Sequence, residues 1–441
     1  MRLAGWGNFP VADCKLSGAS CEADVVAALD REGTLIARGN GRSYGDAALN
    51  PEHTLSLRGL DRLLAFDPAT GRVTCEAGVL LADLLEIFVQ QGWFPRVTPG
   101  TKFVSVGGMV AADVHGKNHH RDGSFGAWVD WMDVLLGAGN VVRCSRCENA
   151  ELFQATLGGM GLTGIILRVA FRLHRIETAY IRQKTVIAED LDASIEAFDK
   201  YWDWTYSVAW IDCLASGRKL GRSVHFLGEH ARLDELPSHC QSAPLEIETR
   251  RTRSVPACFP SGVLNRWSGV AFNSLYYRRA VRRASDQIVD YDTFFYPLDA
   301  LVGWNRIYGR NGFVQYQCVF PKPVGREALR TVLERVTQAR TGAFLTVLKL
   351  FGAQDGMLSF PLEGYTLALD FPMTPHTLGL LTELDEILTR YEGRLYLAKD
   401  SRMSPSTFCA GYPKIPEFRK LRAHIGADRR FQSLLAQRLG L

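Results

Sequence analysis

The sequence predicts an α+β fold in more than one domain, and three observations predict it. Glycine-rich turns recur three times among short strands in the first 165 residues. Between Val314 and Tyr391, strands carrying internal polar residues are interleaved with amphipathic helices, the order of a sheet flanked by helices. A dense polar cluster, Arg394 to Arg402, follows near the end of the chain. At 441 residues, 46% hydrophobic and 22% charged, the chain has the length for two or three domains and an ordinary soluble composition.

Composition also closes off several function classes. The formal charge of +4, without a dense Lys/Arg stripe, gives no reason to expect nucleic acid as a partner. The opening MRLAGWGNFPVADCKLSG has no basic stretch followed by a long apolar run, and no apolar run elsewhere reaches the length of a membrane span. Neither a signal peptide nor a transmembrane segment is therefore expected, and the protein is expected to be cytoplasmic or peripheral at the membrane. The ten scattered cysteines read as reduced core thiols. Cys144 and Cys147 form a CxxC with no second pair or nearby His pair, so they read as a turn and no metal is expected.

Cys21–Glu32 has the spacing of an amphipathic helix, and Leu35–Ala37 reads as a short buried strand. The strand feeds Arg38-Gly39-Asn40-Gly41-Arg42-Ser43-Tyr44-Gly45-Asp46, whose three glycines suit a compact loop that turns backbone donors onto a phosphate. Apolar and polar residues alternate as in strands from Thr54 to Val79, and Leu80–Gln91 is a helix stopped by Gly92. Thr98 to Gly126 is the most distinctive stretch. There Gly107-Gly108 precede small residues, Met109 to Ala112, suited to start a short helix aimed at an anion. Asp113, His115, Lys117, Asn118, His119 and His120 then fall within eight positions.

Trp131–Val142 reads as a hairpin around Gly137-Ala138-Gly139-Asn140, and Ala150–Leu157 as a helix. Gly158-Gly159-Met160-Gly161-Leu162-Thr163-Gly164 contains a GxGxxG spacing. A helix precedes it and the β-branched run Ile165–Leu173 follows, the reverse of a dinucleotide-binding strand–turn–helix. Three such turns together suggest one extended ligand pressed against backbone.

From about Ala179 aromatic residues become frequent. Gly228–Arg283 reads as irregular, with Pro237, Pro244, Pro256 and Pro260, and ends in Tyr276-Tyr277-Arg278-Arg279-Ala280-Val281-Arg282-Arg283. That basic run is read as a solvated helix face, with contact to anionic lipid headgroups as the alternative. Val314–Phe320 and Leu345–Phe351 are strands carrying Gln315, Gln317 and Lys349. Polar groups inside apolar strands are costly without partners, so a polar ligand pocket is expected there. Glu327–Arg340 and Pro375–Tyr391 are the flanking helices.

The segments RGNGRSYGDAA, VSVGGMVAADVHGKNHH, GSFG, LGGMGLTGII, FVQYQCVFP, LKLFG and LYLAKDSR, in that order, resemble the flavoenzymes of the vanillyl-alcohol oxidase type. The resemblance is strongest to their decaprenylphosphoryl-β-D-ribose 2′-oxidase branch and covers the chain from about Ala37 onward. HGKNHH and AKDSR are far more specific than any glycine motif. The resemblance implies a p-cresol methylhydroxylase-type (PCMH-type) FAD-binding domain, residues 1–178, completed by 394–441. It places a substrate domain with an antiparallel sheet at 179–393.

FAD would be lined by Ala37, Arg38, Gly39, Asn40, Gly41, Arg42, Ser43, Tyr44, Gly45, Asp46 and Ala47 of the first turn. Gly100, Ser105, Val106, Gly107, Gly108, Ala112, Asp113, Val114 and His115 would continue the lining, with Ile166 and Tyr396. Many relatives bond the flavin through a His in the first turn. Arg42 stands at that place here, so the FAD is expected to be non-covalent.

The implied reaction is oxidation of the 2′-hydroxyl of a polyprenyl-phosphate-linked ribose to the 2′-keto sugar. It is the first half of an epimerisation to the arabinose donor for cell-envelope polysaccharide, completed by an NAD(P)H-dependent keto-sugar reductase. Lys399 is the first candidate to contact both flavin and substrate, and His115 and Lys117 to orient the hydroxyl. Tyr308, Gln315, Gln317 and Lys349 would line the sugar pocket. Thr366 and Ala368 stand where the branch carries Asn and Cys, so the pocket loses an amide and a thiol and the sugar preference is expected to shift. A free-sugar or aldonolactone oxidase is one rival reading. A non-catalytic flavin- or glycolipid-binding partner is another.

Overall fold

The computed structural model of the chain describes all residues except 31, 249, 256, 257, 260–265, 340, 342 and 344, and the backbone alone of 266 and 283. Pro256 and Pro260 of the irregular stretch, and Arg340 at the end of the expected 327–340 helix, lie outside the described residues.

After an antiparallel pair of short strands, Arg2–Ala4 and Val11–Asp13, the first half runs through β1 (Leu16–Gly18), α1 (Glu22–Leu29), β2 (Ile36–Arg38) and β3 (Thr54–Ser56), where β3 pairs in parallel with β1 and β2. Next come β4 (Leu63–Asp67), β5 (Arg72–Glu76), α2 (Leu81–Phe88), β6 (Trp93–Pro95) and α3 (Val106–Ala111). They are followed by β7 (Val129–Leu135), β8 (Val141–Ser145), α4 (Ala150–Thr156) and β9 (Ile165–Arg175). An antiparallel sheet runs β8–β7–β9–β5–β4, with β6 also beside β9. Helix α2 stops where the alternation stops: after one tight turn, Gly92 takes φ 76, a left-handed conformation that costs glycine little. Leu81, Leu84, Leu85 and Phe88 of α2 are buried in the same core as Val169 and Phe171 of β9. Each such side chain contributes about 1.5–3 kcal/mol on burial, which lets the neighbouring glycine-rich loops stay ordered with few core side chains of their own.

The second half comprises β10 (Tyr180–Ala188), α5 (Leu191–Lys200), β11 (Tyr206–Ile211), β12 (Ser223–His230), α6 (Arg266–Arg283) and β13 (Gln287–Asp290). It continues through β14 (Phe313–Pro321), α7 (Lys322–Gln338), β15 (Thr346–Phe351), β16 (Gly364–Pro372), α8 (Pro375–Arg390) and β17 (Arg394–Leu395). Eight strands form one antiparallel sheet in the order β13–β10–β12–β11–β15–β16–β14–β17. Helices α7 and α8 bury Leu329, Val332 and Val336, and Leu380, Leu384 and Leu388, in the core that backs this sheet. Side chains alternate along a strand, so Gln315 and Gln317 share one face of β14, as Thr366, Ala368 and Asp370 share one face of β16.

The stretch expected to be irregular is ordered at both ends: β12 continues to His230, and residues 266–283 form an 18-residue helix. The prolines all precede position 261, and the sequence from Val270 to Arg282 has no Pro or Gly to interrupt helical hydrogen bonding. Asn273 fastens α6 from its inner side, donating to Asp212 Oδ1 at 2.7 Å. After β17 the chain crosses back through α9 (Pro405–Gly411), α10 (Ile415–His424) and α11 (Leu434–Leu439). Buried Arg422 ties α10 to the first half by donating to the Leu162 carbonyl at 2.9 Å. Among the described residues no helix is long and apolar enough to cross a membrane.

Candidate active site

A cavity of about 1150 Å³ lies between the glycine-rich loops and the polar face of the eight-stranded sheet. Pockets for drug-sized ligands run to roughly 300–1,000 Å³, so this one has room for a larger cofactor with substrate beside it. Ala37, Arg38, Gly39, Asn40, Gly41, Arg42, Ser43, Tyr44, Gly45 and Ala47 form one wall. Gly100, Ser105, Gly107, Gly108, Ala112, Val114 and His115 form the next, and Ile166 and Tyr396 close it.

This wall fits FAD. Among the described residues none accepts a hydrogen bond from the amides of Gly39, Asn40, Gly41, Arg42 or Ser43. Five consecutive donors are thus open to a diphosphate. A Cβ on Gly39 would fall 2.1 Å from Ser105 Oγ, so the loop packs on the residue that caps α3 only because it has no side chain there. Arg42 lines the cavity with its guanidinium 4.1 Å from the Trp6 ring centroid, and its buried Nε has no hydrogen-bond partner among the described residues. Bound there, FAD would be held by backbone donors and Arg42.

The opposite wall is the sheet. Strand register sets Gln315 opposite Asp370, Gln317 opposite Ala368, and Lys349 opposite Thr366. Gln315 donates to Asp370 Oδ1, while the buried Oδ2 has no hydrogen-bond partner among the described residues. Gln317 Nε2 lies 3.0 Å from His115 Nε2 and 3.4 Å from Thr366 Oγ1. With the amide donating, His115 Nε2 accepts and the imidazole is neutral. Burial, together with Lys349, His119 and Lys399, holds the His115 pKa well below the usual range.

Three amines converge on this space. Lys117 donates to the Phe294 carbonyl and stands 4.2 Å from the centroid of that ring. Lys399 Nζ is 3.5 Å from the centroid of Tyr44. By accessible surface all three lysines are only partly covered, but what they face is the interior cavity and not bulk water. Desolvation therefore governs them. Burial pulls Lys117 down to about 7 with help from Lys349, and Lys349 itself to about 8. Lys399 is pulled to about 7 by burial, with Asp370 opposing and Lys349 assisting. Burial pushes Asp370 up to about 7, so Lys399 and Asp370 titrate as a pair.

The segment that carries Lys399 is held at both ends. Tyr396 N–H donates to the Gln317 carbonyl at 3.0 Å and its hydroxyl to the Ala112 carbonyl at 2.9 Å. Tyr44 N–H donates to the Ala398 carbonyl at 2.8 Å. Asp400 pairs with Arg438 at 2.9 Å, which leaves Lys399 directed at the cavity.

Four residues expected to line the site do not. Asp46 pairs with Arg438 at 2.9 Å, and Val106 is fully buried in the core. Asp113 takes φ 39 and turns its buried carboxylate away, accepting from Gly126 N at 2.9 Å, Gln354 Nε2 at 2.8 Å and Ser359 Oγ. Tyr308 stacks on Phe313 with centroids 4.4 Å apart, outside the lining. The HGKNHH motif divides likewise: His115 and Lys117 face the cavity, whereas Asn118, His119 and His120 bond to the Arg96 carbonyl, Gln354 and the Trp204 carbonyl. Asp370 was missed by sequence reasoning. It shares the two-residue period of Thr366 and Ala368, and that alternation was the signal available.

Residues 19–145 match the family described as FAD binding domain. The chain is 37% identical to decaprenylphosphoryl-β-D-ribose oxidase of Mycolicibacterium smegmatis, over 100% of this chain and 97% of that protein. It is 34% identical to an uncharacterized protein of Streptomyces coelicolor, over 82% of this chain and 100% of the other. L-gulonolactone oxidase of Scyliorhinus torazame is 30% identical over only 37% of this chain and 39% of its own length, a related branch sharing part of the molecule. Full-length similarity and a cavity wall shaped for a diphosphate agree, and the chain belongs to the decaprenylphosphoryl-β-D-ribose oxidase family of FAD-dependent oxidoreductases.

Proposed function

We propose that the chain oxidises the 2′-hydroxyl of a polyprenyl-phosphate-linked ribose to the 2′-keto sugar. The observation that supports this reading is the meeting of Lys117, Lys349 and Lys399 with Gln315, Gln317 and His115 in one cavity with the flavin wall. FAD, when bound, takes up the hydride from the sugar carbon. The chain's own groups orient the sugar and manage its proton. Gln315 and Lys349 present donors to sugar oxygens, and Gln317, whose N–H groups are turned to His115 and Thr366, presents its carbonyl as an acceptor. Lys399, held cationic by Asp370, stabilises the negative charge that develops as hydride and proton separate. Lys117, its proton affinity brought to about 7, is matched to receive the hydroxyl proton. His115 is a poorer base, since its Nε2 is already engaged by Gln317.

In this reading FAD is non-covalent, because Arg42 occupies the turn from which relatives bond the ring. A separate NAD(P)H-dependent reductase returns the keto group to the opposite face, and the enzyme works at the membrane that holds its lipid-linked substrate. The test is anaerobic mixing of the yellow protein with candidate sugars. Polyprenyl-phosphoryl-ribose is expected to bleach the flavin absorbance while free pentoses and aldonolactones leave it. Bleaching by a free lactone would move the chain to the lactone-oxidase activity, and no bleaching by any sugar would leave a binding protein.

A further inference from the structure

We infer that α6 lies flat on an anionic lipid bilayer, with the mouth of the active-site cavity opening beside it into the headgroup layer. The inference deepens the lipid-linked substrate reading, and rests on it for the orientation of the mouth, but the surface itself can be tested without substrate. The helix is 18 residues long, about 27 Å at 1.5 Å per residue. It has arginines at 266, 278, 279, 282 and 283 and no acidic residue.

Its inner side is fastened. Asn273 donates to Asp212, Tyr277 Oη to the Ala188 carbonyl at 3.2 Å, and the Tyr276 ring packs 4.6 Å from that of Trp210. Its outer side is a stripe. Trp267, Ala271, Leu275, Arg278 and Arg282 follow at steps of four, four, three and four residues, the spacing of one helical face. Trp267 is 78% exposed, Leu275 69% and Phe272 53%, and Arg278, Arg279 and Arg282 are exposed as well.

The apolar surface reaches the cavity. Phe272 and Tyr276 line its mouth, as do Cys258 and Val302, and Val302 is 50% exposed. Single exposed apolar side chains need no explanation, but a helix that exposes Trp267 and Leu275 on one face and sets Phe272 at a cavity mouth does. Trp and Leu suit the boundary between headgroups and acyl chains, and arginines on the same face reach lipid phosphates while their stems stay apolar. A second copy of the chain would set one cationic helix against another, which disfavours self-association through this face. A nucleic acid would meet the charges but leave the apolar stripe exposed. An anionic bilayer satisfies both.

The test is flotation of the FAD-loaded protein with vesicles of phosphatidylcholine alone, or of phosphatidylcholine and phosphatidylglycerol in equal parts. Binding is expected to the second and not the first, and to fall as salt is raised. Each arginine near the surface is worth about fivefold in partition, so R278E/R279E/R282E together should weaken binding about 100-fold or more. L275E, which changes the apolar half, should weaken it too. Flavin absorbance and turnover of detergent-dispersed substrate should stay unchanged in all variants, which separates docking from misfolding. Equal binding to both vesicles, no binding to either, or binding indifferent to the arginine reversals would overturn the inference. A dimer lost in the same variants would also overturn it, by making a second copy the occupant. Bleaching by polyprenyl-phosphoryl-ribose without vesicle binding would sink the docking surface alone, whereas vesicle binding without bleaching would sink the substrate reading alone.

Discussion

Asp370→Asn isolates one charge in the site. The side chain is buried on β16, its Oδ1 accepts from Gln315, and Asn preserves both shape and that acceptor. What it removes is the attraction opposing the desolvation of Lys399, an amine already pulled down to about 7. An opposite charge within reach moves a titration by about one to three pH units, so the Lys399 amine in the variant loses its proton well below neutrality. At pH 7.5 the cationic fraction then drops by about ten- to a thousandfold, and the rate of flavin reduction should drop with it. The sign follows from the protonated form being the useful one. Activity falls as pH rises through the Lys399 titration, so the alkaline limb of the pH–rate profile moves to lower pH. The other groups facing Asp370, namely Tyr44, Gln315 and Tyr308, are common to both proteins, as is Lys349 beside Lys399. The acid limb, assigned to Lys117, should stay in place. Stopped-flow flavin reduction across pH 5.5 to 9 reads both limbs, with flavin content as the check on folding. An alkaline limb that stays put or moves upward would show that Asp370 does not hold the Lys399 proton, and the assigned role of Lys399 would fall with it.

Two further outcomes follow from the same geometry. Gly45→Ala places a Cβ 1.9 Å from the Asp400 carbonyl oxygen and 2.8 Å from Ser401 Cα, both backbone atoms that no rotamer can clear. The segment carrying Lys399 must shift, at about 1–3 kcal/mol of overpacking, seen as a lowered Tm and slower flavin reduction; an unchanged Tm would mean the contact is slack. Stripped of flavin, the protein should gain stability as pH rises from about 7 to 8.5, below the range in which the buried thiols of Cys75, Cys144, Cys213 and Cys318, pushed up by burial, act in the opposite direction. In that window Lys117, Lys349 and Lys399 bind fewer protons folded than unfolded, with a limit of about 1.4 kcal/mol per pH unit for each amine. Asp370, raised from 3.8 to about 7, acts oppositely and earlier: its contribution is present below 4 and is lost as pH rises towards 7. A Tm that falls between about pH 7 and 8.5 would contradict the lysine placement.

What could be read beforehand depended on how far apart in the chain the causes lie. Glycine turns are local: a left-handed residue such as Gly92, or an approach that admits no Cβ such as Gly39, leaves its mark at the position itself. The polar face of the sheet is nearly local, since a period of two places Gln315 beside Gln317 once the strand is known. The same period held Asp370, but a lone carboxylate in the apolar strand Gly364–Pro372 says nothing about an amine arriving from another segment. Asp46 and Asp113 lie within glycine-rich segments that do line the cavity, yet their side chains answer to Arg438, 392 positions away, and to Gln354, 241 positions away. A buried carboxylate turns toward whichever donor relieves its desolvation, and no local pattern names that donor. The helix 266–283 was hidden for the opposite reason: its prolines come just before it, and its inner anchors, Asn273 to Asp212, Tyr277 to the Ala188 carbonyl and Tyr276 on Trp210, all reach residues more than 60 positions away. Lys399 belongs to both classes. Its segment is distinctive enough to recognise, but its chemistry comes from Tyr44, Asp370 and Lys349, three residues that only the crossing of the last strand back to the first glycine turn brings within its reach.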